Sequence, residues 1–137
     1  MTDDVVISDG LPSGEEYAAL RAHVGWNAID PEAVERGLAA SLASVVARDA
    51  GGRLVGMGRL VGDGGVYLYL QDVIVREAWR GRGVGSRITE ALLDHVRLLG
   101  GPGTFVGLMA AADAAAFYER YGFVRRLEDR PGMWLTL

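Results

Sequence analysis

The chain contains no cysteine and no lysine, and only two histidines among its 137 residues. Without cysteine there is neither a disulfide nor a thiol nucleophile, which excludes covalent catalysis through a cysteine. Two histidines without a thiol assemble no metal-ligand spacing, and no metal is expected. All 14 basic residues are arginine, which rules out a P-loop, since that motif needs G-x-x-x-x-G-K-[ST]. No apolar run reaches membrane-spanning length, and Met1-Thr2-Asp3-Asp4 lacks the basic region of a secretion signal. A cytoplasmic location is the expectation. A net charge of −4 argues against nucleic acid as a partner.

Half of the residues are hydrophobic, enough for a proper core, and the length suits one domain spanning residues 1–137. Val5 to Ser8 reads as a first strand. Ser13 and Glu16 form a capping box for a helix whose buried stripe is Tyr17, Leu20 and Val24. Asp30 and Pro31 start a second helix with Val34, Leu38 and Leu42 as its stripe. Strands follow over residues 45–48, 54–61 and 66–75, separated by glycine turns. A long amphipathic helix carries Val84, Ile88, Leu92, Val96 and Leu99 on one face. Gly100-Gly101-Pro102-Gly103 stops it, and the apolar strand 104–109 must run parallel to the strand before the helix, because a helical crossover joins them. Asp113 is the expected cap of the next helix, 114–121. Two last strands, 123–127 and 133–137, flank Asp129-Arg130-Pro131-Gly132. The order is β-α-α-β-β-β-α-β-α-β-β, and the class is α+β.

The most informative stretch joins strand 68–75 to the long helix through Arg80-Gly81-Arg82-Gly83-Val84-Gly85-Ser86. The first amides of a helix have no partner inside it, and the helix dipole makes that end partly positive. Glycines at 81, 83 and 85 let an anion approach the backbone, and arginines 80 and 82 add charge. This is an anion cradle, with phosphate the favoured anion. It is not a dinucleotide fingerprint: counted from Gly81 the third glycine position holds Ser86, and counted from Gly83 it holds Ile88.

Arg80 to Gly85 resembles motif A of the GNAT superfamily of N-acetyltransferases, [RQ]-x-x-G-x-[GA] after a strand, and the element order also resembles the GNAT fold, an α/β/α sandwich. The resemblance implies that Gly81 to Ser86 hold the pyrophosphate of acetyl-CoA, with Arg80 beside them. It implies a pair of parallel strands that splay apart, where backbone groups of Val73, Ile74 and Val75 bond the pantetheine arm and an amide near Ile74 or Val75 serves as oxyanion donor. Ala116-Phe117-Tyr118-Glu119-Arg120-Tyr121-Gly122-Phe123 looks like the family's "FYxxxGF" segment, which assigns the general acid to Tyr118. A phenol of pKa about 10 is protonated at neutral pH and can donate to a thiolate of pKa about 8.5.

The general base is less defined. Asp72 sits beside the expected splay, where it is either a base or a carboxylate bonded into the strand, and Gln71 is expected on the opposite face. Some family members use a water chain with no dedicated base. The acceptor site is expected between the first two helices and the last hairpin, near Trp26, Gln71 and Trp134. The acidic chain leans towards a cationic acceptor. His23 borders that region, and His95 is read as structural. Three residues depart from common family patterns: Glu77 for a proline, Ala111 for a pantetheine-binding asparagine, and Val106 for a glutamate base. The last two make a protein N-terminus a less apt acceptor. The implied function is acetyl-CoA-dependent acetylation of a primary amine on a small molecule, and the resemblance also implies homodimers formed by exposed sheet edges. The alternative is a non-catalytic acyl-CoA-binding or sensing module on the same fold.

Overall fold

The computed structural model describes residues 4–111 and 113–137. The elements follow in the order β1 (Val6–Asp9), α1 (Gly14–His23), α2 (Pro31–Ala39), β2 (Ala43–Arg48), β3 (Leu54–Gly62) and β4 (Tyr67–Val75). A 3-10 turn (Glu77–Trp79), α3 (Val84–Leu99), β5 (Phe105–Gly107) and α4 (Ala115–Glu119) complete it. The sheet runs β1-β2-β3-β4-β5, antiparallel except for the β4–β5 pair. That pair is parallel because α3 carries the chain back to the same end of the sheet.

Local chemistry sets the helix starts. The Ser13 hydroxyl accepts from the Glu16 amide at 3.0 Å while the Glu16 carboxylate accepts from the Ser13 amide at 2.9 Å. Asp30 caps α2 through the Ala33 amide at 3.2 Å. Each cap satisfies amides that the first turn leaves without partners.

Helices cover both faces of the sheet. On one, Tyr17, Leu20, Val34 and Leu38 pack against Val46, Met57 and Ile74. On the other, Val84, Ile88 and Leu92 of α3 pack on Val45, Ala47, Val55 and Leu68. Each fully buried aliphatic side chain there contributes about 1.5–3 kcal/mol. The approach of α3 depends on Gly58, where a Cβ would lie 2.7 Å from Ile88 Cγ2 and 2.8 Å from Leu92 Cδ1.

Three expectations need correction. Asp113 does not cap α4; the N-cap is Ala114, with no side-chain bond to the helix. The Ala114 amide already donates to Ala111 O at 2.9 Å, so a turn occupies the place of the cap. Residues 123–127 and 133–137 form no strands. Alternating apolar residues are not enough for a strand without a ladder partner, and this segment forms none with β5. Finally, Gln71 and Asp72 do not face opposite ways. The β3–β4 register slips between Met57 paired with Ile74 and Arg59 paired with Gln71. This bulge lets both side chains share the face of Arg59.

Candidate functional site

The loop between β4 and α3 is shaped by glycine at two places, Gly81 (φ 76°) and Gly83 (φ 79°). Other residues adopt this left-handed backbone only at a cost. Gly83 is the N-cap of α3 and so gives the helix no capping side chain. The Arg87 amide donates to Gly83 O at 3.1 Å. The amides of Val84, Gly85 and Ser86 precede that first helical bond and have no partner within α3. There is no acidic residue in the first turn of α3, and a Cβ placed on Gly81 or Gly83 would meet open space. Arg80 Nε donates to Val75 O at 3.1 Å and ties the loop to the strand end. The Arg82 guanidinium lies 5.0 Å from the Trp79 ring centre. From α4, Arg120 donates to Ser86 Oγ at 3.3 Å. Among the described residues the start of α3 is therefore uncapped, open over Gly81 and Gly83 and flanked by arginines 80 and 82, which suits a diphosphate.

Beside it the sheet opens. Parallel pairing of β4 with β5 ends at Tyr69–Gly107, so among the described residues no strand pairs with Gln71 to Val75 on that side. The Arg76 amide donates to Val55 O at 2.8 Å, towards β3. Ladder alternation then turns the Val75 amide to the open side and the Ile74 amide towards β3. Of the two expected donors, Val75 alone faces the opening. Its carbonyl, on the same side, is the group held by Arg80.

Asp72 lies in the bulge with φ 56° and is buried. Its Oδ2 accepts from Tyr17 Oη at 2.8 Å and from Arg59 Nε at 2.8 Å. Arg21 Nη1 lies 3.7 Å from its Oδ1. Burial, reinforced by the Asp72 charge, pushes the Tyr17 phenol above its ordinary pKa, so it remains a donor. Arg59 also donates to Gly37 O and Ser41 Oγ, which joins α2 and the residues after it to the bulge. Arg21 stacks over Trp26 at 5.3 Å, so Trp26 stands beside this cluster. His23 Nε2 accepts from the Glu77 amide at 3.2 Å and ties α1 to the turn before the cradle. His95 bonds Asp9 at 2.9 Å, away from the cradle.

A cavity of about 820 Å³ lies past the β5 edge, lined among others by Tyr69, Phe105, Met109, Tyr118, Phe123 and Met133. Tyr118 stands edge-on to Phe117 at 5.0 Å and to Phe123 at 6.0 Å. Burial raises the pKa of its phenol, which keeps the proton on the oxygen at neutral pH. Trp134 is 79 % exposed, on the unpaired C-terminal segment. Neither it nor Trp26 or Gln71 lines the cavity. Sequence reasoning missed Tyr17, Arg21 and Arg59 as partners of Asp72. The available signal was an arginine in the apolar run 54–61 and a tyrosine in a buried stripe, both of which need polar partners.

No group of three or more His, Asp or Glu side chains that could hold a metal is found among the described residues. Nor is any described helix long and apolar enough to cross a membrane.

Residues 41–125 match the family model described as an acetyltransferase (GNAT) domain. An uncharacterized N-acetyltransferase of Pyropia yezoensis is 28 % identical over 87 residues, 64 % of this chain and 49 % of that protein. The chain thus spans about half the length of the curated relatives it matches. Among solved structures, a protein of unknown function and probable acetyltransferase from meticillin-resistant Staphylococcus aureus superimposes with a TM-score of 0.92 and 32 % identity. It covers 98 % of this chain and 100 % of its own. A GNAT family acetyltransferase from Streptococcus pneumoniae gives a TM-score of 0.80 at 29 % identity, covering 97 % and 98 %.

Proposed function

We propose an acetyl-CoA-dependent N-acetyltransferase, on the premise that this chain belongs to the GNAT family of acetyltransferases. The carrying observation is the uncapped start of α3, with open space over Gly81 and Gly83 and no acidic side chain in its first turn. Acetyl-CoA fits that cradle through its diphosphate, with Arg80, Gly81, Arg82, Gly83, Val84, Gly85 and Ser86 as the holding residues. Its bound thioester would supply an activated acetyl group. Val73 to Val75 offer the open β4 edge to the amide-bearing arm, and the Val75 amide is the donor suited to a developing oxyanion. Tyr118 holds a proton for the departing sulfur.

The acceptor we propose is a primary amine on a small molecule, bound beside Trp26 and Gln71. The amine must lose a proton before it attacks. Asp72 is a poor base because Tyr17 and Arg59 both occupy one of its oxygens, so proton removal through water fits better. Asp72 then acts as a positioning residue for the bulge. Residues 1–137 are proposed to work as one domain, in the cytoplasm. The same commitment of Asp72 favours the second reading, a non-catalytic acyl-CoA-binding module.

The test is release of free thiol from acetyl-CoA across a panel of amino sugars, polyamines, aminoglycosides, amino acids and peptides. Turnover with a small amine supports the enzyme. Saturable acetyl-CoA binding with no turnover on any amine supports the binding module.

A further inference from the structure

Two arginines share one carboxylate at the bulge. Arg59 Nε donates to Asp72 Oδ2 at 2.8 Å, and Arg21 Nη1 lies 3.7 Å from Oδ1. The side chains of Arg59, Arg21 and Asp72 are only 14 %, 13 % and 7 % exposed. Among the described residues neither arginine has another ion pair. Their remaining partners are neutral: Asn27 for Nε and Nη2 of Arg21, and Gly37 O and Ser41 Oγ for Arg59. Glu16 of α1 is held instead by Arg48 at 2.7 Å. Two positive charges against one negative leave a surplus of one. A largely buried charge without a counter-ion is costly, so the cluster favours an added anion.

The surplus stands where the acceptor is proposed to bind. Trp26, 40 % exposed, lies against the Arg21 guanidinium at 5.3 Å. Gln71 is paired with Arg59 in the ladder. Nη1 of Arg21 is beyond hydrogen-bond reach of Asp72 at 3.7 Å. The whole-chain charge of −4 favours a cation, but exposed charges are screened beyond about 8–10 Å. At this point the two guanidiniums set the local field.

We propose that the acceptor is an amino acid, whose carboxylate pairs with Arg21 and whose side chain lies against Trp26. The inference rests on the acetyltransferase reading for its reaction, while the anion site itself needs no turnover. The neutral amine nitrogen attacks the thioester carbonyl, an N–C bond forms and the C–S bond breaks. The amine proton leaves to water, and the sulfur takes a proton from Tyr118, which water restores. The carboxylate is unchanged throughout and serves to hold the molecule.

The test pairs each amino acid with the amine that lacks only its carboxylate: phenylalanine with phenylethylamine, and leucine with isopentylamine. Thiol release should give kcat/KM at least about tenfold higher for the amino acid of each pair. Arg21→Gln should erase that difference through KM. Arg21→Lys keeps the charge but not the fork that holds Asn27, and should restore part of it. Circular dichroism and acetyl-CoA binding check both folds. A second measurement is independent of turnover. With coenzyme A bound, N-acetylphenylalanine should shift the Trp26 indole NMR signal at a concentration at least about tenfold below that needed with N-acetylphenylethylamine. Equal potency in either measurement, or a carboxylate preference that survives Arg21→Gln, overturns the anion site and leaves the acetyltransferase reading intact. If no amine is turned over, that reading fails, and the indole titration alone upholds or overturns the anion site.

Discussion

Tyr17 Oη donates to Asp72 Oδ2 at 2.8 Å, across 55 positions of chain, and ties α1 to the bulge in β4. Arg59 donates to the same oxygen at the same distance. A non-glycine residue at φ 56° is strained unless its surroundings hold it. Here a phenol and a guanidinium do so. The bulge also turns Gln71 to the same face, and beyond it the Val75 amide faces the opening.

Removing the Tyr17 hydroxyl tests whether Asp72 is a tie or a base. Tyr17→Phe leaves a buried carboxylate short of one donor, at a cost of about 1–2 kcal/mol, or a fall in Tm of about 4–8 °C. Asp72→Asn breaks a buried ion pair and should cost about 3 kcal/mol or more. If Asp72 were the base, freeing it in Tyr17→Phe would leave or raise kcat; as a tie, kcat falls with stability. Thermal melts and steady-state kinetics on both variants read this out.

Two glycines of the cradle should respond in opposite directions. Gly83→Ala forces a left-handed backbone at φ 79°, costing about 1–2 kcal/mol, and disturbs the helix start. Tm should fall and acetyl-CoA should bind at least about tenfold more weakly, a loss of about 1.4 kcal/mol. Gly85→Ala places a Cβ 3.7 Å from Val75 Cγ2, an ordinary contact, and gains about 0.5–1 kcal/mol of helix propensity. Its Tm should rise with affinity nearly unchanged. Calorimetric titration of both variants decides.

Much of this was legible in the sequence because it is local. The Ser13–Glu16 box, the Asp30 cap and the glycine turn into α3 each rest on a few adjacent residues, and α3 begins and ends where its apolar spacing predicts. The bulge was not legible: one extra residue in Gln71-Asp72-Val73 leaves no trace in the alternation, and its cause lies in Tyr17 and Arg59, far along the chain. The C-terminal strands failed for the opposite reason. Their pattern suits a sheet, but a pattern cannot state which edge it will pair with.

Tyr118→Phe keeps the ring contacts with Phe117 and Phe123 and removes the proton. We expect kcat to fall about 10²- to 10³-fold with acetyl-CoA affinity unchanged. Burial raises the Tyr118 pKa, so in the wild type this group should cause no loss of rate up to the ordinary phenol pKa of about 10. A pH–rate profile of both proteins checks the assignment. An unchanged kcat in the variant removes Tyr118 from the mechanism.

Acid stability should depend on one surface tie. Glu16 accepts from Arg48 at 2.7 and 3.0 Å and from the Ser13 amide, and the Arg48 hydrogen bond is the main reason its pKa is lowered from 4.5 to about 2. A depressed carboxyl pKa stabilises the fold above about 4.5, and the gain disappears as pH falls through about 2. With a third of both side chains exposed, screening leaves about 1 kcal/mol. Glu16→Gln should therefore melt lower at pH 7 and match the wild type near pH 2.

The most direct test follows the backbone amides of ¹⁵N-labelled protein by NMR as coenzyme A is added. The account predicts that the largest saturable shifts fall on Val84, Gly85 and Ser86 at the start of α3 and on Val75 at the open strand edge. Shifts confined to other parts of the chain, with these four amides unmoved at saturation, would contradict it.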